Sequence, residues 1–432
     1  MLRPAESRRC AGPSSRRAYV TRRSSIQSCS VSRCSPVRRL HGVYIGEHLS
    51  SWLAIWKETL VHHQRSNRRI PLKGAAAVAA GTLLLSACGR GGGGEAAPSP
   101  SRPSHIACAD EGKVAGSGST AQQNAMKHWL QEYQSACPGV QLRYSPIGSG
   151  GGVAQFLRGA THFGGSDTPL SEGDVEFSRR ACPGSRAIDL PMVGGPVAIG
   201  YNVDGVDSLV LDASTVARIF DSRITMWNDP EIQRLNPGAQ LPETEISAVH
   251  RSDNSGTTQN FNAYLADAAP EEWPYEKVKA WQARGGHAAP GSDGVVSTVS
   301  SQNGSIGYFE LSFAKAKGVP TVKLDTGAPD PVAVSAQSAS AGIAAAKVAG
   351  SGQDLTLEFD YRTRAPGAYP IVLVTYEIVC ADGTPAGVLP ALKSFLTYTA
   401  SEEVQAGLAR IHYAPLPEKV ASRVRHVVST LS

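Results

Sequence analysis

What the chain lacks narrows its chemistry first. None of its eight cysteines stands in a C-x-x-C pair, and His162, His250, His287 and His412 show no metal-ligand spacing. No phosphate-loop lysine follows its glycines, no G-x-G-x-x-G opens a helix after a strand, and no G-x-S-x-G elbow occurs. Nucleotide hydrolysis, dinucleotide binding and esterase chemistry therefore lack their usual signatures. Ser252-Asp253-Asn254 and Ser312-Phe313-Ala314-Lys315 spell two motifs of penicillin-recognising enzymes, but in reverse order and with no K-T-G, so both read as coincidence. No cofactor and no metal is expected, and no enzyme.

A basic field is also missing. The formal charge of +5 is misleading, because the first 87 residues hold 15 of the 42 basic residues and 3 of the 37 acidic ones. Beyond Ala87 the count is 27 against 34, a net −7. Nucleic acid is not a partner on this balance, and an anion would have to be held by local donors. Methionine is scarce too, with none between Met1 and Met126. Residues 1–65 are rich in Arg, Ser and Cys and show no periodicity. They read as a mis-called start, with translation beginning at a non-ATG codon near Val61, or as a disordered extension.

What is present begins at residue 66. Asn67-Arg68-Arg69-Ile70-Pro71-Leu72-Lys73 is a basic lead, Gly74 to Leu85 a short apolar run, and Leu85-Ser86-Ala87-Cys88 a small-residue cleavage site resembling a lipobox. Residues 66–87 are thus a lipoprotein signal peptide, too short for a spanning helix, with Cys88 the lipidation site. Residues 88–105 form a Gly/Pro/Ser tether. Export suits the cysteines. Cys10, Cys29 and Cys34 fall in the prefix, leaving Cys108, Cys137, Cys182 and Cys380 for two disulfides in an oxidising compartment. Three pairings are possible. Cys108–Cys137 with Cys182–Cys380 is preferred, because Cys108 precedes the first strand and Cys137 ends the first helix, at one edge of an α/β layer.

Along the exported chain, strands alternate with helices, which implies an α/β fold with parallel strands. Ala125, Met126, Trp129, Leu130 and Tyr133 recur at helical spacing. Ala187 to Val193 reads as a strand broken by Gly194-Gly195-Pro196. Ser171 with Asp174 reads as an N-cap, Val319 to Leu324 with Val332 to Val334 as a hairpin, and Ala336 to Ala349 as a helix. Trp273 to Gly291 reads as an aromatic loop.

Three stretches share one grammar: a strand, then glycines and hydroxyls, then a helix start. They are Gly116 to Thr120, Gly148 to Gly152, and His250-Arg251-Ser252-Asp253-Asn254-Ser255-Gly256-Thr257-Thr258. Glycine lets backbone N–H groups approach a ligand, and a helix start favours an anion. Any one alone is more simply a cap or a turn. Three of them, with Arg251 and Asp167, make an oxyanion site. Asp167 decides which oxyanion. A carboxylate in an anion pocket is tolerable only if the ligand brings a proton, as phosphate does and sulfate does not. Asp253, two residues from Arg251, would hold that guanidinium as a fixed fork.

Together these residues resemble the phosphate-binding proteins of Pst-type ABC importers, particularly actinobacterial ones. The resemblance runs from about Lys113 to the C-terminus. It rests on Gly116-Ser-Gly-Ser-Thr120, Ile147-Gly-Ser-Gly-Gly-Gly152, Phe163-Gly-Gly-Ser-Asp-Thr-Pro-Leu-Ser171, Trp227-Asn-Asp229, Leu235-Asn-Pro-Gly238, His250 to Thr257 and Ser305-Ile-Gly-Tyr308, in that order. It implies a two-lobed periplasmic-binding-protein-like fold (type II) with the ligand in the cleft. One lobe is discontinuous, residues 106–196 with 308–432, and residues 197–307 form the other. The implied ligand set is the Thr120 hydroxyl and N–H, Ala121 N–H, Ser149, Asp167 as proton acceptor, Arg251, and Ser255, Gly256 and Thr257 at a helix start. Ser119 and Asp253 support it. Ala121 replaces the aromatic of some relatives, but only its backbone is needed. The implied partners are inorganic phosphate, the permease and ATPase subunits of a phosphate importer, and the outer face of the cell membrane through lipid on Cys88. A receptor for a sulfate-like oxyanion, a secreted phosphatase-like enzyme, and an adhesin or sensor on the same fold are the alternatives.

Overall fold

The computed structural model describes residues 106–432. The readings on residues 1–65, the 66–87 signal, Cys88, the 88–105 tether, Cys10, Cys29 and Cys34 lie outside the described residues. Among the described residues no helix is long and apolar enough to cross a membrane.

Eight strands form one sheet: β1 (Gly112–Gly118), β2 (Val140–Pro146), β3 (Phe163–Ser166), β4 (Ala187–Asn202), β5 (Ser247–Arg251), β6 (His287–Ala289), β7 (Ser305–Glu310) and β8 (Val372–Cys380). Their order is β2-β1-β3-β8-β4-β7-β5-β6. At one end β1 pairs in parallel with β2 and β3, and at the other β5 pairs in parallel with β6 and β7. In the centre β8 is antiparallel to β3 and β4, and β4 to β7. The expected parallel sheet therefore holds at both ends and fails in the middle. Local strand–helix alternation speaks for neighbours joined by a helical crossover. β4 and β8 are remote in sequence, so nothing local sets their direction.

The expected break in β4 is also absent. The strand runs sixteen residues through Gly194-Gly195-Pro196. Gly194 is there for close approach rather than for a turn: its N–H donates to Ala414 O at 2.9 Å and its carbonyl accepts from Ala414 N–H at 2.8 Å. A Cβ at Gly194 would lie 2.4 Å from Ile343 Cδ1.

Two cores flank this shared sheet, giving the two-lobed architecture. The first collects Trp129, Phe163 and Phe395, the second Trp227, Phe261 and Tyr308. β4 sends Ile188, Leu190 and Met192 into the first and Val197, Ile199 and Tyr201 into the second. The disulfides are Cys108–Cys137 and Cys182–Cys380, the preferred pairing. Ser171 and Asp174 make a reciprocal capping box, and Lys323–Asp325 pairs antiparallel with Val332–Ala333 as the expected hairpin. The helix expected over 336–349 stops at Ala344, because Lys347–Val348 instead pairs with Leu357–Glu358. Tertiary pairing overrides alanine's helical preference there.

Candidate functional site

Each of the three glycine-and-hydroxyl stretches links a strand to a helix, and all three meet at Asp167. β1 leads through Ser119 and Thr120 into α1 (Gln123–Ala136), β2 into α2 (Ser149–Leu157), and β5 into α3 (Gly256–Ala268). A fourth stretch follows the same plan: β6 leads through Pro290 and Gly291 into α4 (Gly291–Ser301).

Asp167 lies just beyond β3, with 3 % of its surface exposed. Four hydroxyls aim at its carboxylate. Ser119 Oγ donates to Oδ1. Thr375 Oγ1, from β8, donates to Oδ1 at 2.8 Å, Ser149 Oγ to Oδ2 at 3.2 Å and Thr257 Oγ1 to Oδ2 at 3.4 Å. Burial raises the Asp167 pKa above its ordinary value; the Ser119, Thr375 and Ser149 hydrogen bonds and the Arg251 charge oppose that shift.

Arg251, only 2 % exposed, comes from the end of β5. Its Nε donates to Asp253 Oδ1 at 2.8 Å and its Nη2 to Asp253 Oδ2 at 2.5 Å. That two-point fork leaves Nη1 facing Thr257 Oγ1 at 3.5 Å. Burial opposes the Asp253 charge, but Arg251 and the Gly291 N–H outweigh it and hold its pKa below the usual range. The guanidinium is thus oriented and matched by a carboxylate.

The remaining expected groups sit in the same shell. Ser119 Oγ accepts from Ala121 N–H at 3.0 Å. Ser149 Oγ accepts from Asp167 N–H at 3.1 Å. Ser255 is the N-cap of α3, its Oγ accepting from Thr258 N–H at 3.1 Å, which leaves its own O–H to donate. Gly256 is required by space: a Cβ would stand 2.5 Å from Ser149 Oγ and 2.7 Å from Asp167 Cβ.

Four participants escaped the sequence reading. Ser292 Oγ shares a 3.0 Å hydrogen bond with Thr120 Oγ1, and Ser292 N–H donates to the same oxygen at 3.2 Å. Thr375 reaches Asp167 from a strand that carried no motif. Asn260 Nδ2 donates to Asp167 O at 2.8 Å, and Tyr361 O–H donates to Asn260 Oδ1 at 2.7 Å. Pro290-Gly291-Ser292-Asp293 carries the signal of the other three stretches, but the aromatic loop before it hid the short β6.

What this arrangement accommodates is a small oxyanion bearing a proton. Its donors are hydroxyls, helix-start N–H groups and one guanidinium edge, and its single ionisable acceptor is a buried carboxylate. A bare anion meets like charge at Asp167. An anion with an O–H meets an acceptor.

Comparison with known proteins agrees in scale and in kind. Residues 97–403 match the PBP superfamily domain. The chain is 42% identical over 360 residues to phosphate-binding protein PstS 2 of Mycobacterium tuberculosis, covering 82% of this chain and 97% of that one. This chain belongs to the PstS family of phosphate-binding proteins. PstS 3 of Mycobacterium leprae is 42% identical over 354 residues, covering 81% of this chain and 95% of the relative. PstS of Xylella fastidiosa is 32% identical over 316 residues, covering 72% and 84%. In fold, the chain is similar to a phosphate-binding protein from Stenotrophomonas maltophilia at a TM-score of 0.56 and 20% identity, covering 73% of this chain and 93% of that one. The matched range 97–403 takes in all four loops.

Proposed function

We propose that this protein captures inorganic phosphate outside the cytoplasm and delivers it to the permease and ATPase subunits of a Pst-type ABC importer. The observation that carries the reading is the pairing of a buried proton acceptor, Asp167, with a guanidinium already matched by Asp253. Phosphate is ligated by the Thr120 hydroxyl and N–H, Ala121 N–H, Ser149, Asp167, Arg251, Ser255, Gly256 and Thr257. Asp167 accepts the phosphate O–H, Asp253 fixes Arg251, and Ser119 orders the Thr120–Ala121 turn. The protein binds and hands on its ligand without altering it.

Donors come from both cores, so the shell is complete only when the halves meet, and phosphate favours closure. The expected division is residues 106–196 with 308–432 against 197–307, but the second core also takes in Tyr308, Phe309, Phe313, Leu324, Val334 and Tyr369, so part of 308–432 packs with 197–307. Cys88 carries lipid and holds the protein at the outer face of the cell membrane; incorporation of labelled fatty acid that Cys88→Ala abolishes supports this, and equal labelling of that variant overturns it. The test of function is calorimetric titration with phosphate and with sulfate near pH 7. Phosphate should bind in the micromolar range or tighter with sulfate silent. Comparable binding of the two would remove the role given to Asp167.

A further inference from the structure

The fourth strand-to-helix turn, Pro290-Gly291-Ser292, acts on two of the others. α4 is preceded by Pro290, which has no side-chain oxygen to cap the first N–H groups of the helix. Two of those N–H groups are satisfied from the phosphate site. Gly291 N–H donates to Asp253 Oδ1 at 3.1 Å, and Ser292 N–H donates to Thr120 Oγ1 at 3.2 Å. One helix start thus holds both the carboxylate that fixes Arg251 and a hydroxyl from the turn before α1.

The second bond governs what Thr120 can do. A hydroxyl has one proton and two lone pairs. Ser292 N–H occupies one lone pair. Ser292 Oγ stands 3.0 Å from the same oxygen, where either hydroxyl can be the donor. If Ser292 donates, both lone pairs of Thr120 Oγ1 are filled and its proton is left for a ligand. If Thr120 donates, its proton goes to Ser292 and none is left. A hydrogen phosphate dianion whose one proton goes to Asp167 presents only acceptors to Thr120, so the first arrangement is the one that binds. Both residues are buried, Ser292 wholly, so water does not compete for the bond.

The same bond joins separate parts of the molecule. α1 sends Met126 and Trp129 into the first core, and α4 sends Val295, Val296 and Val299 into the second. Ala121, next to Thr120, packs with the second core. One residue beyond Ser292, Asp293 Oδ2 accepts from Gln123 Nε2, the first residue of α1, at 2.8 Å.

We propose that Ser292 is a positioning residue of the phosphate site: its N–H and hydroxyl fill both acceptor positions of Thr120 Oγ1 and make that hydroxyl a donor to phosphate, and they do so only while the starts of α1 and α4 are docked. Recognition by Thr120 is thereby conditional on the two cores meeting at this junction. Parting them releases the hydroxyl to rotate. Ser292 therefore acts on how long phosphate stays rather than on how often it enters.

The inference rests on the phosphate reading. The full-length protein, Ser292→Ala, Thr120→Val and the double variant are titrated with inorganic phosphate by calorimetry, and entry and release are followed by stopped flow. Ser292→Ala should weaken binding about tenfold, with most of that factor in faster release and entry changed by less than about twofold. In the Thr120→Val background no hydroxyl remains to be oriented, so adding Ser292→Ala should cost less than about twofold more. A structural role for Ser292 would instead weaken both backgrounds alike. Additive losses in the double variant, a Ser292→Ala as tight as the wild type, or slower entry in place of faster release overturns the proposal while leaving phosphate binding intact. A wild type that binds no phosphate overturns the functional reading, and this inference with it.

Discussion

The half of the site that carries Arg251 and the half that carries Asp167 are built differently. Arg251 is a fixed charge with a fixed partner, and its surroundings are a strand end and one capped helix start. Asp167 is a carboxylate ringed by hydroxyls, on a half that also holds both disulfides of the described residues. The first half supplies attraction, which any oxyanion would feel. The second supplies a test that only a proton-bearing anion passes. The rigid covalent ties lie on the side where an error of position would cost selectivity.

The comparison can be broken from either side. The largest effect is expected from Arg251→Met. It removes the guanidinium and leaves Asp253 half-buried and unpaired, so phosphate affinity should fall about a thousandfold by calorimetry, on the order of 4 kcal/mol. Next is Cys182→Ser with Cys380→Ser. That bridge spans 198 residues, and its loss should destabilise the protein by about 2–5 kcal/mol in denaturant unfolding. Asp167→Asn should act on choice more than on strength. Sulfate binding should appear while phosphate weakens by roughly 2 kcal/mol, narrowing the gap between the two; unchanged sulfate rejection would show that selectivity resides elsewhere.

Smaller effects sharpen the picture. Glu377 and Glu310 hold folded-state pKa values raised by burial to about 8, so each favours folding below the ordinary carboxylate range and loses that contribution as pH rises toward 8. Glu377→Gln should therefore gain stability over the wild type at pH 8–9 by about 1–3 kcal/mol and little near pH 4.5, read from urea midpoints. The smallest change is expected from Asn260→Ala. It removes the tie from α3 to the Asp167 carbonyl and should weaken phosphate binding by about 1 kcal/mol, mostly through faster release in stopped-flow measurements.

Much of this site was legible because its chemistry is local. Ser119, Thr120, Ser149 and Ser255 to Thr257 sit at strand-to-helix turns that announce themselves in glycine and hydroxyl. The capping box at Ser171 was visible for the same reason. Thr375 was not, because a single threonine in the apolar run Val372 to Cys380 looks like any half-buried strand residue, and only the sheet order puts it beside β3. Ser292 was masked by a strand of three residues. The mixed direction of the sheet and the continuity of β4 depend on which remote segments pair. Ala414, which holds Gly194 from the side, lies more than two hundred residues away.

β4 has a consequence for how the gene can be cut. The chain passes from one core to the other inside a strand, at Pro196–Val197, with no linker between them. Residues 197–307 are the contiguous stretch of the expected division, yet excising them would cut through both β4 and β7. Expressed alone, that piece would present a bare strand edge to every other copy in solution. The two halves are therefore inherited, translated and folded as one object.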